Sequence, residues 1–260
     1  MTNQSALVGY TGFVGGNLHR QHQFDNVFNS KDISEIESQS FELLVLSGVK
    51  GTKWQANLDP HEDWCGIQRL INSLERVKAR RVVLISSVDV LEPIAGSDED
   101  SDPHGLDNHA YGLNRLRLED ILGKIFLGLQ VVRLPSIFGP GLKKNVLFDL
   151  INSNQLEKIN PVSSFQYYDL ANIWEHVSLV LREGVPVINL VPEPVSSIEI
   201  IYRFFRGVEV GDDANPAIHY AYRTKYANLF GRSGDYIDSR EEVFRRIGEF
   251  IEDCRRGGIR

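Results

Sequence analysis

Cysteine is scarce in this sequence. The 260 residues include two, Cys65 and Cys254, which lie far apart without histidine or cysteine neighbours at metal-ligand spacing. A disulfide framework and a metal site are therefore not expected. A chain with so few thiols suits a reducing compartment, which predicts a cytoplasmic protein.

Long apolar runs and an excess of basic residues are also missing. No stretch approaches the ~20 apolar residues of a membrane-spanning helix, and the N-terminus lacks a basic region followed by an apolar one. The formal net charge of -7 argues against nucleic acid or an anionic membrane as the main partner. At 42% hydrophobic and 24% charged residues, the chain suits a globular α/β domain with a small annex.

Apolar segments of strand length alternate with helical patterns in the first half of the chain. Ile67, Leu70, Ile71 and Leu74 recur at the spacing of one helix face, which predicts a helix over 63–77. Strands are predicted at 5–9, 26–29, 42–47, 81–87 and 129–134, and further helices at 13–22 and 111–125. Continuous apolar strands separated by helices indicate a doubly wound parallel sheet of the Rossmann type.

The pattern changes after about Gly139. Short helices are predicted at 145–151, 169–181 and 196–205. One further strand is predicted at 186–191, and a charged C-terminal helix at 239–255. We therefore predict a dinucleotide-binding domain over 1–141. Residues 142–260 would form a small, partly interleaved substrate lobe that can return strands or helices to the first domain.

Three glycines with the spacing GxxGxxG directly follow the first predicted strand, in "GYTGFVGG". Gly9 would allow a sharp turn, Gly12 a close approach to a pyrophosphate, and Gly15 tight packing of the helix on the strand. The predicted contacts to the cofactor from this turn are Gly9, Thr11, Gly12, Phe13, Val14 and Gly15. A purely structural turn is the alternative.

The end of the second predicted strand bears on which dinucleotide binds. A carboxylate there suits the ribose of NAD, and a cation suits the 2′-phosphate of NADP. Asn29 lies at the predicted strand end, Lys31 could meet a phosphate, and Asp32 could serve NAD if the register slips. The sequence favours NADP slightly, although Lys31 could equally be a solvated side chain.

Three later motifs carry a family resemblance. "ISSVDV" (85–90), "YGLNR" (111–115) and "VVRLPSIFGPG" (131–141) follow the glycine turn, and "FQYYDLANIW" (165–174) adds a weaker match. In this order they resemble the extended short-chain dehydrogenase/reductases, the NAD-dependent epimerase/dehydratase superfamily. The resemblance implies an enzyme that acts on a sugar, typically nucleotide-activated, as a reductase, epimerase or dehydratase.

The resemblance also implies catalytic residues. Ser87 matches the family's serine or threonine, and Tyr111 matches its tyrosine acid/base, whose pKa near 10 must be lowered by a nearby cation. Arg115 stands where the family has the lysine of YxxxK, which lowers that pKa and binds the nicotinamide ribose. A working variant, a slower enzyme, and a retired site that only binds dinucleotide as a sensor or scaffold all stay open.

Further contacts follow from the resemblance. Ser47, Gly48 and Pro135 would lie beside the cofactor. The candidate contacts to an anionic substrate are Asp89, Trp54, Lys143, Lys144, Asn145 and Arg223. Each has a plainer alternative, since an aspartate can cap a loop, a tryptophan can pack on a helix and a lysine pair can be solvated. Residues 47–60 are interpreted as a loop, and a homodimer through the 63–77 and 111–125 helices is expected.

Overall fold

The computed structural model describes residues 4–91, 96–212 and 216–257. The strands are β1 (Ser5–Val8), β2 (Asn26–Phe28), β3 (Ser40–Leu46), β4 (Lys78–Ser87), β5 (Leu129–Leu134), β6 (Ser136–Phe138), β7 (Ser164–Phe165), β8 (Tyr167–Asp169), β9 (Val187–Asn189) and β10 (Val195–Ser196). The α-helices are α1 (Phe13–Gln21), α2 (Lys53–Leu58), α3 (Pro60–Leu74), α4 (Ala110–Ile125), α5 (Val146–Asn152), α6 (Ile173–Glu183), α7 (Ser197–Phe204) and α8 (Arg240–Arg255).

A six-stranded sheet with the order β2-β1-β3-β4-β5-β9 forms the frame of the protein. Strand β1 pairs in parallel with β2 on one side and β3 on the other, and β3, β4 and β5 continue in parallel. The chain thus changes direction across the sheet between β1 and β3. Ligands of open α/β sheets bind beyond the carboxyl ends of the strands at such a switch point.

The sheet is short on the β2 side. A single 3₁₀ turn, Ile33–Ile36, links β2 to β3, and no described residue adds a strand beyond β2. The doubly wound sheet of dinucleotide-binding proteins usually has the order 3-2-1-4-5-6. One strand and its crossover are therefore missing at this edge.

The sheet is buried on both faces. Leu44 of β3 packs with Leu74 of α3 and Leu122 of α4 in one apolar cluster. Strand residues whose side chains point to the opposite face of the sheet, such as Leu7 and Val45, are fully buried as well. Helices α1 and α6 contact each other and strands β1, β4 and β5. Burial of both faces explains why the strands are continuous apolar runs instead of alternating ones.

The chain divides into two compact units, the first comprising residues 1–92, 101–134 and 172–188, and the second 93–100, 135–171 and 189–260. Helix α6 belongs to the first unit. The second unit contains two small sheets, β6 with β8 in parallel and β7 with β10 antiparallel. Its core includes Phe138, Phe244 and Phe250, and serine–glutamate capping boxes begin α7 and α8.

Two sequence expectations need correction. Residues 47–60, interpreted as a loop, contain α2, and α3 begins at Pro60 instead of residue 63. The Asp59 carboxylate accepts a hydrogen bond from the Glu62 N–H at 3.0 Å, and Pro60 occupies the first helical position. Aspartate before proline is a helix start signal that fixes this boundary.

Candidate functional site

The glycine turn is packed more tightly than any side chain would allow. A Cβ on Gly15 would lie 2.1 Å from the Gly9 carbonyl oxygen, and one on Gly9 would lie 2.5 Å from the Ser47 carbonyl oxygen. Gly9 also has φ +91°, a conformation that L side chains rarely adopt. The Ser47 N–H and hydroxyl both donate to the Val8 carbonyl at 2.9 Å. The turn after β1 and the turn after β3 therefore pack directly against each other.

Helix α1 begins inside this turn. Gly12 is its N-cap, no side chain caps the helix, and its first turn carries no acidic residue. The first N–H groups of a helix lack partners in the helix and favour an anion. Thr11 and Gly12 are exposed, whereas Phe13 and Val14 are half-buried. A pyrophosphate can approach this backbone from the open side.

A cleft of about 920 Å³ adjoins the turn. It is lined by the ends of β1 and β3, by Asn29 and Ser30 after β2, and by one side of α2 and α3. Its size suits an extended ligand such as a dinucleotide. The glycine packing, the uncapped start of α1 and the cleft together fit a dinucleotide cofactor.

The segment after β2 is internally hydrogen-bonded. The Asn29 side chain donates to Asp32 at 3.1 Å and to the Tyr10 hydroxyl at 3.2 Å. The Asn29 N–H also donates to the Asp32 carboxylate, at 2.5 Å. Asp32 is therefore engaged within the turn, while Lys31 is exposed and its N–H donates to the Asn29 side chain at 2.8 Å.

The second part of the site lies where β4 ends. The Ser87 hydroxyl accepts the Asp89 N–H at 3.1 Å and donates to the Asp89 carboxylate at 3.3 Å. The Lys53 ammonium donates to the same carboxylate at 2.7 Å. Burial raises the pKa of Asp89. A hydrogen bond from His109 and the charge of the Lys53 ammonium lower it by more, so the net pKa is below its usual value.

Helix α4 brings Tyr111 to this turn. A Cβ on Gly112 would lie 2.1 Å from the Asp89 carbonyl oxygen, so only glycine permits this approach. His109 Nδ1 accepts the Gly112 N–H at 3.0 Å, and the Asn57 side chain accepts the Tyr111 N–H at 2.9 Å. Since Nδ1 accepts, neutral His109 carries its proton on Nε2, which faces Asp89 at 3.8 Å.

The Tyr111 phenol is buried, and the Ser87 hydroxyl acts on it by lowering its pKa. Burial raises its pKa, and the charge of Asp89 raises it further. The charge of Arg115, the Ser87 hydrogen bond and the charge of Lys53 act in the opposite direction, but the net pKa is above the usual value for tyrosine. Without a bound ligand, Tyr111 is therefore a protonated phenol at neutral pH.

Arg115 forms a buried ion pair instead of reaching openly toward the cleft. Its guanidinium binds both carboxylate oxygens of Asp63, and one nitrogen also donates to the Lys50 carbonyl at 2.5 Å. The other terminal nitrogen also donates to the Tyr111 carbonyl at 3.4 Å. The Arg115 side chain is 4% exposed and that of Asp63 is 9% exposed. The guanidinium lies 3.9 Å from the centre of the Tyr111 ring, over its face.

No protein-family model matches the sequence, and a search of curated proteins found no match. Solved structures match nearly the whole chain. UDP-glucose 4-epimerase from Thermotoga maritima is 12% identical, with a TM-score of 0.73 over 97% of this chain and 99% of that one. dTDP-4-dehydrorhamnose reductase from Bacillus anthracis, in complex with NADP, is 14% identical, with a TM-score of 0.74 over 97% and 99%. MoeE5, in complex with UDP-glucuronic acid and NAD, is 16% identical, with a TM-score of 0.71 over 98% and 99%.

The chain has the fold of the extended short-chain dehydrogenase/reductases. On this fold, the glycine turn, Ser87 and Tyr111 all belong to the first unit. At these identities the likeness shows the fold, and the chemistry has to be argued from the site itself.

The sequence analysis assigned Lys53 no role in the site. Lys53 begins α2, which contacts both α3 and α4. Only Ala56 of this six-residue helix is buried, so the segment has no apolar periodicity. The one available signal was Thr52, a residue type favoured before a helix, followed by a stop at the Asp59–Pro60 pair. Trp54 of the same helix lines the cleft and is 62% exposed, so it does not pack on a helix edge.

The remaining predicted residues lie in the second unit. Pro135 follows β5, and Lys143 and Lys144 are exposed. The Asn145 side chain accepts the Phe148 N–H at 3.0 Å and so caps α5. Arg223 pairs with Asp235 at 3.4 Å.

The described residues contain no group of three or more histidine, cysteine, aspartate or glutamate side chains that could hold a metal ion. Within the same ranges, no helix has both the length and the apolar character to cross a membrane.

Proposed function

We propose that the protein is an NAD(P)-dependent enzyme that reduces, epimerises or dehydrates a sugar, with Tyr111 as its general acid/base. The observation that carries this proposal is the placement of Ser87 and Tyr111 at the same turn, in the same unit as a dinucleotide-sized cleft. Ser87 is hydrogen-bonded to Asp89, and the packing of Gly112 on the Asp89 carbonyl brings the start of α4, with Tyr111, to that turn.

The glycine turn would hold the cofactor. The N–H groups at the start of α1 would bind the pyrophosphate, and Ser47 and Gly48 would form the facing wall of the cleft. When bound, the nicotinamide supplies hydride chemistry at a carbinol or ketone carbon. Asn29 and Ser30 would meet the adenosine ribose, with Lys31 as the cation that favours NADP.

Tyr111 and Ser87 would handle the oxygen of the reacting carbon. The raised pKa of Tyr111 means that the free protein holds the proton on the phenol oxygen, ready for donation to a developing alkoxide. The Ser87 hydroxyl would orient that oxygen and stabilise its developing charge. Asp89 is an ionised carboxylate in this site and would act as a hydrogen-bond acceptor or a base.

The substrate is proposed to be anionic, as a nucleoside-diphosphate sugar is. Support comes from similar structures that hold UDP-glucose or UDP-glucuronic acid. Lys143 and Lys144 are exposed candidates for the diphosphate, whereas Asn145 and Arg223 already have structural partners. A cytoplasmic location and a homodimer through α3 and α4 stay predictions, and sedimentation of the purified chain tests the dimer.

The test begins with calorimetric titration of NAD⁺ and NADP⁺ into the purified protein. We expect one of them to bind. NADPH oxidation, or isotope exchange in a panel of UDP- and dTDP-linked sugars, would then be measured for the wild type and Tyr111→Phe. Binding of neither dinucleotide would refute the proposed function.

A cofactor-binding sensor or scaffold is the second candidate. Arg115 favours it, because its terminal nitrogens are committed to Asp63 and to two backbone carbonyls instead of facing the cleft. In that case Tyr111→Phe would bind dinucleotide normally and retain its full biological activity. A loss of activity with unchanged binding would favour the enzyme.

A further inference from the structure

Two oppositely charged pairs flank the Tyr111 phenol. One is Arg115 with Asp63, and the other is Lys53 with Asp89. Three of these four charges, those of Arg115, Asp89 and Lys53, act on the pKa of Tyr111. His109, the remaining titratable group of the cluster, uses Nδ1 to accept the Gly112 N–H, which requires the neutral ring.

The Arg115–Asp63 pair is fixed. Both side chains are almost fully buried, the contact is bidentate, and the Lys50 carbonyl holds a second edge of the guanidinium. Breaking such a pair leaves an uncompensated charge in the protein interior. The guanidinium therefore cannot turn toward a ligand without abandoning the carboxylate of Asp63.

The Lys53–Asp89 pair is more open. The Lys53 side chain is 35% exposed and that of Asp89 is 15% exposed. Lys53 is anchored on α2, and its ammonium is a compact charge on a flexible stem, so it can shift between partners. Its charge lowers the pKa of Tyr111, and it also pairs with Asp89, whose charge opposes ionisation of the phenol.

We propose that Lys53 is the adjustable cation of the tyrosine site, and that the Arg115–Asp63 pair is a fixed, neutral clamp that holds α3 and α4 together. This assignment rests on the proposed function, because it gives Lys53 the charge-setting task that the family resemblance assigns to position 115. Lys53 is a positioning residue that acts through Asp89 and Tyr111. An isolated surface ion pair would not have this effect, since exposed pairs couple weakly to their surroundings.

The test uses Lys53→Met, which removes the charge at similar length, and Lys53→Arg, which keeps it. Lys78→Met is the matched control, because Lys78 is exposed at the start of β4 and its loss changes the net charge equally. The pKa values of the Tyr111 phenol and the Asp89 carboxyl would be followed by ¹³C NMR in ligand-free protein. Tyr111→Phe and Asp89→Asn assign the two signals.

Both pKa values should rise in Lys53→Met and stay near the wild-type values in Lys53→Arg and Lys78→Met. If the enzyme turns over, kcat should fall at least ~10-fold in Lys53→Met, with KM little changed. This fall is smaller than the full contribution of general acid/base catalysis, because Tyr111 itself is still present. The double variant Asp63→Asn/Arg115→Met, checked for folding by circular dichroism, should leave the Asp89 titration near its wild-type value, because Asp89 pairs with Lys53 and not with that clamp.

An unchanged Tyr111 titration in Lys53→Met would overturn the proposal, and so would an Asp89 shift in the double variant as large as the one in Lys53→Met. If alkali unfolds the protein before the phenol titrates, the Asp89 signal decides, and an unchanged Asp89 titration overturns the proposal. These readouts need no cofactor. Failure of dinucleotide binding would therefore count against the proposed function alone.

Discussion

The glycine turn and the tyrosine site are built in different ways. The turn is set by residues 9–16 and one facing turn, and steric contacts between backbone atoms decide its shape. The tyrosine site draws Lys53, Asp63, Asp89 and Arg115 from different segments, and its properties depend on which charges those segments bring together.

This difference shows what each region tolerates. A backbone packed to 2.1 Å from a hypothetical Cβ leaves no alternative residue at that position. A charge can be supplied from another segment if the geometry permits. The departure from YxxxK at Arg115 thus removes a motif without removing cations from the neighbourhood of Tyr111, because Lys53 is also present.

Tyr111→Phe should separate the two regions most clearly. Loss of the phenol oxygen removes the proton donor, and we expect kcat to fall by about 10²–10⁴-fold. The dissociation constant of the dinucleotide should stay unchanged, because the glycine turn is untouched. Steady-state kinetics and calorimetry measure the two effects, and equal losses in both would mean that the regions are not separable.

Asp63→Asn should have the largest effect on stability. It leaves the Arg115 cation buried without its carboxylate, which costs about 3–5 kcal/mol in the free energy of unfolding. Urea denaturation measures the change. Glu62→Gln is the matched control in the same helix, since the Glu62–Arg69 pair is exposed and its loss should cost about 0–1 kcal/mol. Equal losses would contradict the clamp.

Gly15→Ala should destabilise the glycine turn. Its Cβ would overlap the Gly9 carbonyl, so the turn must shift, at a cost of about 1–3 kcal/mol in stability. Binding of the dinucleotide should weaken as well. Gly16→Ala is the control, because its Cβ would lie 3.4 Å from the nearest atom, the Tyr10 carbonyl oxygen, and should leave binding intact. Weakened binding in both variants would argue against a specific role for the turn.

Lys31→Met should have the smallest effect. An exposed contact with the 2′-phosphate is worth about 0.5–1 kcal/mol, so NADP⁺ binding should weaken ~2- to 5-fold. NAD⁺ binding should not change. Parallel calorimetric titrations measure the ratio, and an unchanged ratio would assign the preference to another residue.

The frame of the first unit could be predicted from the sequence because its signals are local. Apolar runs gave strands β1, β3, β4 and β5, and the glycine spacing gave the start of α1. Helix α2 escaped because it has one buried residue and depends on contacts with α3 and α4. Strands of two or three residues in the second unit, such as β7 and β10, also escaped, since pairing between distant segments defines them.

The charge partners in the site could not be predicted for the same reason. Asp63 and Arg115 are 52 residues apart, and Lys53 and Asp89 are 36 apart. Nothing in the local pattern pairs them. The sequence did place Ser87 and Tyr111 as candidates, through motif order, but the packing of α4 on the turn at Asp89 is a result of tertiary structure.

The most direct test of the account is a crystal structure of the protein with NADP⁺ or NAD⁺ bound. We predict the pyrophosphate on the N–H groups at the start of α1 and the nicotinamide end near the Ser87–Tyr111 pair, with Arg115 still bound to Asp63. A cofactor bound elsewhere, or one whose nicotinamide end points away from Tyr111, would contradict it.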